Sequence, residues 1–188
     1  MSFNLTRDRW TVVLLVIIML MGLEIMYLAY QNRKLHAIIE DPKQVFKTLS
    51  ADDTVPSIAA YDLEGRDVSL YYGAGEPPSV VFWFAPSCPS CEDNIGFWKE
   101  IYAKYRADSV RFLGLCPGLP SEANAFVAEH EIEFPVMCVT DPYIMDAYQG
   151  NVLPQTVLIS PEGTILAVWP GALDNGGRAE VLARLEQL

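Results

Sequence analysis

Residues 10–30 read WTVVLLVIIMLMGLEIMYLAY, 21 positions without a Lys or Arg, and no other stretch limits so strongly what the chain can become. At about 1.5 Å per residue, a helix of this length covers the roughly 30 Å of a bilayer's hydrocarbon core. Trp10, Tyr27 and Tyr30 stand near its ends, where amphipathic rings favour the membrane–water boundary. Glu24 is its one acidic residue, costly in lipid unless it is paired, neutralised or near the boundary. A cleaved signal peptide would need small residues at −3 and −1. Cleavage after Gly22 or Ala29 puts Leu20 or Tyr27 at −3, and no lipid-attachment Cys follows, so the pattern favours an uncleaved anchor. Arg7 and Arg9 on one side balance Arg33 and Lys34 on the other, so the flanking charges leave orientation open.

This span also explains a tension in the composition. The chain is 51% hydrophobic, yet its net charge is −11. From residue 41 onward 9 Lys and Arg face 21 Asp and Glu, a net charge of −12 on a segment of single-domain size. Such acidity opposes binding to a phosphate backbone, so no nucleic-acid partner is expected. The expected organisation is an N-terminal membrane anchor at 1–30, a juxtamembrane linker at 31–55 and one domain at 56–188. Within the linker, Leu35, Ile38 and Ile39 are helically spaced, Pro42 interrupts, and Ser50-Ala51-Asp52-Asp53-Thr54 is loop-like.

The domain begins with strand-like runs at 56–63 and 66–72 around Glu64-Gly65, which predicts a hairpin. Continuous apolar runs at 80–85 and 110–116 predict strands buried on both faces. Helices are expected at 89–105, from Ser121, at 142–148 and at 178–188, with a short strand at 134–139. Runs at 156–159 and 164–169 flank Ser160-Pro161-Glu162-Gly163, a turn between antiparallel strands. Strand–helix alternation closed by a hairpin predicts an α/β fold: a mixed central sheet flanked by helices, with an N-terminal transmembrane helix ahead of it.

The main chemical signal is Cys88-Pro89-Ser90-Cys91, between a buried strand and a helix. At a helix's first turn this spacing brings two sulfurs together. The unpaired N–H groups and the positive end of the helix dipole stabilise a thiolate on the first. Pro89 suits that turn, where its missing N–H is not needed. The pattern predicts an accessible nucleophile at Cys88 and a buried resolving thiol at Cys91, acting through a mixed disulfide. A purely structural bridge would close too small a loop to stabilise much. Zinc would need further ligands from Cys116, Cys138, His36 and His130, which form no second tight pair, so no metal and no cofactor are expected. Cys116 and Cys138 end two strand-like runs; free buried thiols are the default, with a second disulfide open if the strands are neighbours.

Taken together, Val81-Phe82-Trp83-Phe84-Ala85-Pro86-Ser87-Cys88-Pro89-Ser90-Cys91, Phe112-Leu113-Gly114-Leu115, Leu153-Pro154-Gln155-Thr156-Val157-Leu158-Ile159 and Pro161-Glu162-Gly163 resemble the thioredoxin-like superfamily, in its membrane-anchored TlpA/ResA-like branch. The resemblance runs from about residue 56 to the end. It implies a thioredoxin-like fold, catalytic Cys88 and Cys91 forming the redox disulfide, and Pro89 and Ser90 in the active-site loop. It further implies that Leu153, Pro154 and Trp83 contact the substrate, with Pro154 cis. Two departures stand out: Ser87 replaces a frequent Trp, and Phe82 and Asn94 occupy the positions where relatives carry a buried acid. The acidic Glu92 and Asp93 oppose a thiolate at Cys88.

The resemblance implies a thiol–disulfide oxidoreductase that reduces or exchanges disulfides in exported proteins, with cytochrome c maturation as one role. Expected partners are protein thiol and disulfide clients, the membrane through the N-terminal helix, and an upstream membrane thiol electron donor. The expected location is the bacterial inner membrane, single-pass, with the domain on the periplasmic side. A redoxin-type thiol peroxidase is one alternative, but Asp93 stands where its pattern, matched by Pro86 and Ser90, needs Cys. A copper-delivery factor would need CxxxC and a placed His. A maturation factor for one periplasmic enzyme shares the chemistry and differs in client.

Overall fold

The computed structural model describes residues 5–40, 48–107 and 110–188. The chain divides into two units, Met1–Lys47 and Thr48–Leu188. In the first, helix α1 (Leu5–Glu40) is continuous, and its Trp10–Arg33 stretch is long and apolar enough to cross a membrane. Helix therefore extends ten residues past Tyr30 without a break. The interruption expected at Pro42 lies outside the described residues.

The second unit alternates strands and helices: β1 (Ile58–Tyr61), β2 (Asp67–Leu70), β3 (Ser79–Trp83), α2 (Pro89–Tyr105), β4 (Arg111–Pro117), α3 (Pro120–Glu129), β5 (Val136–Val139), α4 (Pro142–Ala147), β6 (Gln155–Ile159), β7 (Ile165–Pro170) and α5 (Asn175–Leu185). Among the described residues seven strands form one sheet in the order β2-β1-β5-β4-β3-β6-β7. β3, β4 and β5 run parallel, joined by crossovers through α2 and α3, while β6, β7, β1 and β2 pair antiparallel. The sheet is mixed, as the alternation predicts.

β3 lies between β4 and β6, and every one of its residues is buried. Its alternation divides the core. Val80 and Phe82 join the cluster that takes in α2, α3 and α5, whereas Val81 and Trp83 join the one that takes in β1 and α4. Glycine at 114 is required by packing: a Cβ there would lie 2.7 Å from the Phe84 ring and 2.9 Å from that of Phe134. Aromatic contacts fill the α2 side, with Phe82 stacked on Trp98 at 5.0 Å between ring centres and Phe84 on Phe126 at 5.5 Å.

Residues 48–55, expected in the linker, belong to this unit. Leu49 and Val55 are buried, and Val55 N–H donates to Gly163 O at 2.8 Å. Asp52 N–H donates to Ile165 O and Ile165 N–H to Asp53 O, so the segment pairs alongside the start of β7. The polar side chains that suggested a loop are exposed, the Asp53 carboxylate accepting from Ser50 N–H at 2.9 Å, while the backbone makes the bonds to the segment before and at the start of β7. The closing helix starts three residues before the expected position because Asp174 caps it, its side chain accepting from Gly177 N–H at 2.8 Å.

Candidate active site

β3 runs out at Trp83, and after five intervening residues α2 begins at Pro89. Its apolar stripe places Cys91, Ile95, Trp98, Ile101 and Tyr105 inward, and Pro89 and Glu92 suit its first turn. Cys88 is its N-cap residue, with extended backbone (φ −109°, ψ 95°) and no side-chain cap bond. The thiol position therefore sits against a helix start whose N–H groups no side chain occupies. Cys88 and Cys91 are joined in a disulfide with Cα atoms 5.4 Å apart. Cys88 is half-buried, Cys91 fully buried, and Pro89 and Ser90 are exposed. The Ser90 hydroxyl lies 3.6 Å from the Cys88 sulfur.

The antiparallel register sets Trp83 opposite Gln155, so the turn leading to Cys88 and the segment leading into β6 leave the sheet at the same edge. The Leu153–Pro154 peptide there is cis. Leu153 is half-buried and packs on the same cluster as Cys88 and Cys91; Pro154 is buried. Trp83 needs correction as a substrate contact. It has no exposed surface, and its ring lies on the other side of the sheet, 6.0 Å from that of Tyr148. It is a wall of the core behind the site, because odd and even positions of β3 face opposite ways.

Two residues missed in the sequence tie these parts together. Asn94, fully buried one turn past Cys91, accepts from Leu173 N–H at 2.7 Å and donates to Gly171 O at 3.1 Å. Gly171 N–H in turn donates to Pro154 O at 2.7 Å. Asn94 and Gly171 together thus link the first turns of α2 to the cis-proline segment. Gly171 has φ +86°, a left-handed backbone that glycine adopts without steric cost. Arg178 adds bonds to the carbonyls of Leu173 and Asp93. The only sequence signal was Asn94 at the position of a family acid. Its role depends on partners 77 and 79 residues away.

Trp98 completes the support, donating from Nε1 to Thr156 Oγ1 at 2.9 Å and so joining α2 to β6. Glu92 and Asp93 are exposed beside the motif; Asp93, at the place a peroxidatic Cys would take, presents a carboxylate. His130 is a half-buried helix-end residue whose ring packs on Phe126. The His36 side chain lies outside the described residues.

Cys116 and Cys138 are register partners on parallel β4 and β5, both fully buried and both free thiols. Hydrogen bonding to the Cys138 thiol and burial together push the Cys116 thiol well above its ordinary range. The described residues contain no cluster of three or more His, Cys, Asp or Glu able to hold a metal.

The model of the AhpC/TSA family matches residues 51–168. The chain is 26% identical over 128 residues to the thiol-disulfide oxidoreductase ResA of Bacillus subtilis, a match covering 68% of this chain and 71% of that one. It is 31% identical over 115 residues to the methylamine utilization protein MauD of Paracoccus versutus, covering 61% of this chain and 56% of MauD. The crystal structure of StoA from Bacillus subtilis superposes with a TM-score of 0.56 at 19% identity, over 70% of this chain and 97% of StoA, a likeness of fold.

Proposed function

The chain belongs to the AhpC/TSA family, and on that basis we propose that it is a membrane-anchored thiol–disulfide oxidoreductase that reduces or exchanges disulfides in exported proteins. The observation that carries this reading is the unequal exposure of one cysteine pair: Cys88 half-exposed at the start of α2, Cys91 sealed beneath it. In the reduced protein the Cys88 thiolate attacks one sulfur of a client disulfide. The client's other sulfur leaves as a thiolate and takes up a proton. Cys91 then loses its proton and attacks the Cys88 sulfur of the mixed disulfide, releasing the second client thiol and closing Cys88–Cys91. Two electrons pass from enzyme to client, and a membrane thiol donor restores the reduced pair.

Leu153, which packs on the cluster that holds the pair, and the adjoining cis Pro154 are the residues against which an extended client segment would lie. The apolar Trp10–Arg33 helix supports single-pass anchoring in the bacterial inner membrane, with the domain on the periplasmic side, where clients with disulfides occur. Haem-binding cysteines of cytochromes c are one client class. The likeness to MauD supports a second, a single periplasmic enzyme requiring maturation. Peroxidase chemistry is disfavoured by the Asp93 carboxylate where that pattern needs a thiol.

Expression of Cys91→Ser in the native host tests the reading. The variant should accumulate mixed disulfides through Cys88, seen as adducts that reductant dissolves and that the Cys88→Ser, Cys91→Ser double variant lacks. Full disulfide-reducing activity in Cys88→Ser would refute the mechanism, and rapid peroxide turnover without protein adducts would favour the peroxidase.

A further inference from the structure

Glu24 is the one acidic residue between Trp10 and Tyr30, and its place in α1 is informative. Its side chain is exposed, and the residues one turn away are Leu20, Met21, Tyr27 and Leu28, so its own helix offers no cation there. Arg33 is nine residues further on, about 13 Å along the axis. If Arg9 and Trp10 mark one boundary, Glu24 lies about 21 Å along the helix, roughly 9 Å short of the far side of a 30 Å hydrocarbon core. Sliding the span to lift Glu24 out would drag Arg9 in. Bending the side chain outward is also unfavourable, because helical Cα–Cβ bonds tilt toward the N-terminus, here toward mid-membrane.

Trp10, Ile17, Glu24 and Gln31 recur every seven residues and therefore share one face of the helix. Tyr27 lies beside them, so this face carries four hydrogen-bonding side chains, those of Trp10, Glu24, Tyr27 and Gln31. The reverse face, with Leu15, Gly22, Met26 and Ala29, carries the Thr11 hydroxyl near its N-terminal end and no charged side chain. An acidic side chain held in hydrocarbon away from both boundaries calls for a complementary group at the same depth. A second copy of α1 packed on the Glu24 face would set Glu24 against Glu24, like against like. We propose that this face docks a membrane helix of a partner protein that presents a Lys or Arg at the depth of Glu24. The docking rests on the anchor reading above and gives it a specific surface: α1 selects a neighbour as well as holding the domain at the bilayer.

The test uses the full chain, labelled with a donor dye at its N-terminus, in phosphatidylcholine vesicles. The probe is a Leu/Ala transmembrane peptide with one Lys at the matching depth and an acceptor dye. The reference peptide has Leu in that place. Energy transfer to the Lys peptide should reach half-maximum at about tenfold lower peptide-to-lipid ratio than to the Leu peptide. Glu24→Leu should abolish the difference, and Glu24→Lys should transfer preferentially to a peptide carrying Glu. Reduction of insulin disulfides by Glu24→Leu should equal that of the parent. Equal transfer to both peptides by a chain that resists alkaline carbonate extraction would overturn the docking and leave the anchor standing. Donor–acceptor transfer between copies of the chain, lost in Glu24→Leu, would overturn it in favour of self-association. Release of the chain by carbonate would overturn the anchor and the docking with it.

Discussion

Replacing Asn94 by alanine removes a side chain that has no solvent contact and satisfies a buried N–H and a half-buried carbonyl from a distant part of the chain. The Leu173 N–H would be left without an acceptor and Gly171 O without its donor, and each unmet group costs about 1–3 kcal/mol. Alanine also leaves a small void. The sum is a loss of about 2–6 kcal/mol, a large part of the roughly 5–15 kcal/mol that stabilises an ordinary domain. Urea unfolding of the full chain, followed by fluorescence of the buried Trp83 and Trp98, measures it directly, and the slope against urea should stay as in the parent. Asn94→Asp separates the two bonds: a carboxylate still accepts from Leu173 N–H but cannot donate to Gly171 O. That variant should be impaired at neutral pH and recover in part where the acid is protonated. A loss under about 0.5 kcal/mol in Asn94→Ala would refute the reasoning, since substitutions without a structural role fall in that range.

Two further outcomes follow from the geometry. In the oxidised protein, iodoacetamide should leave Cys116 and Cys138 unlabelled until denaturant is added, and then modify both; prompt labelling of the folded protein would contradict their burial. For Asp62, burial pushes the carboxyl up, but bonds from the Arg66 and Glu64 N–H groups and the Arg66 side chain outweigh it and hold the carboxyl below its ordinary value. Its contribution to the β1–β2 turn is therefore present above the unfolded carboxyl's pKa and lost as pH falls through the lower folded value. Asp62→Asn should differ most from the parent near pH 7, and a gap that widened on acidification would contradict this sign.

The sequence made the redox pair legible because its signal is local: a buried apolar strand, two sulfurs three residues apart and a proline suited to a helix start. The hairpins and crossovers were legible for the same reason, being set by period and turn chemistry over a few residues. Trp83 was misjudged by proximity to the motif, although the parity of β3 assigns it to the far side of the sheet from Phe82 and Phe84. Residues 48–55 were misjudged because Asp52, Asp53 and Thr54 engage through backbone bonds, which leave no mark on side-chain pattern. Asn94 could be noticed as a departure, but its partners are set by tertiary closure alone.

Because β3 is flanked on both edges and covered on both faces, its amides are among the last that local opening can reach, whereas the Pro89-Ser90 turn lies in water. The thiol pair therefore sits at a steep gradient of protection, a few residues beyond the slowest-exchanging backbone in the domain. Oxidation and reduction at Cys88 should pass without loosening that backbone. Hydrogen exchange in the two redox states should differ in α2's first turn and coincide throughout β3.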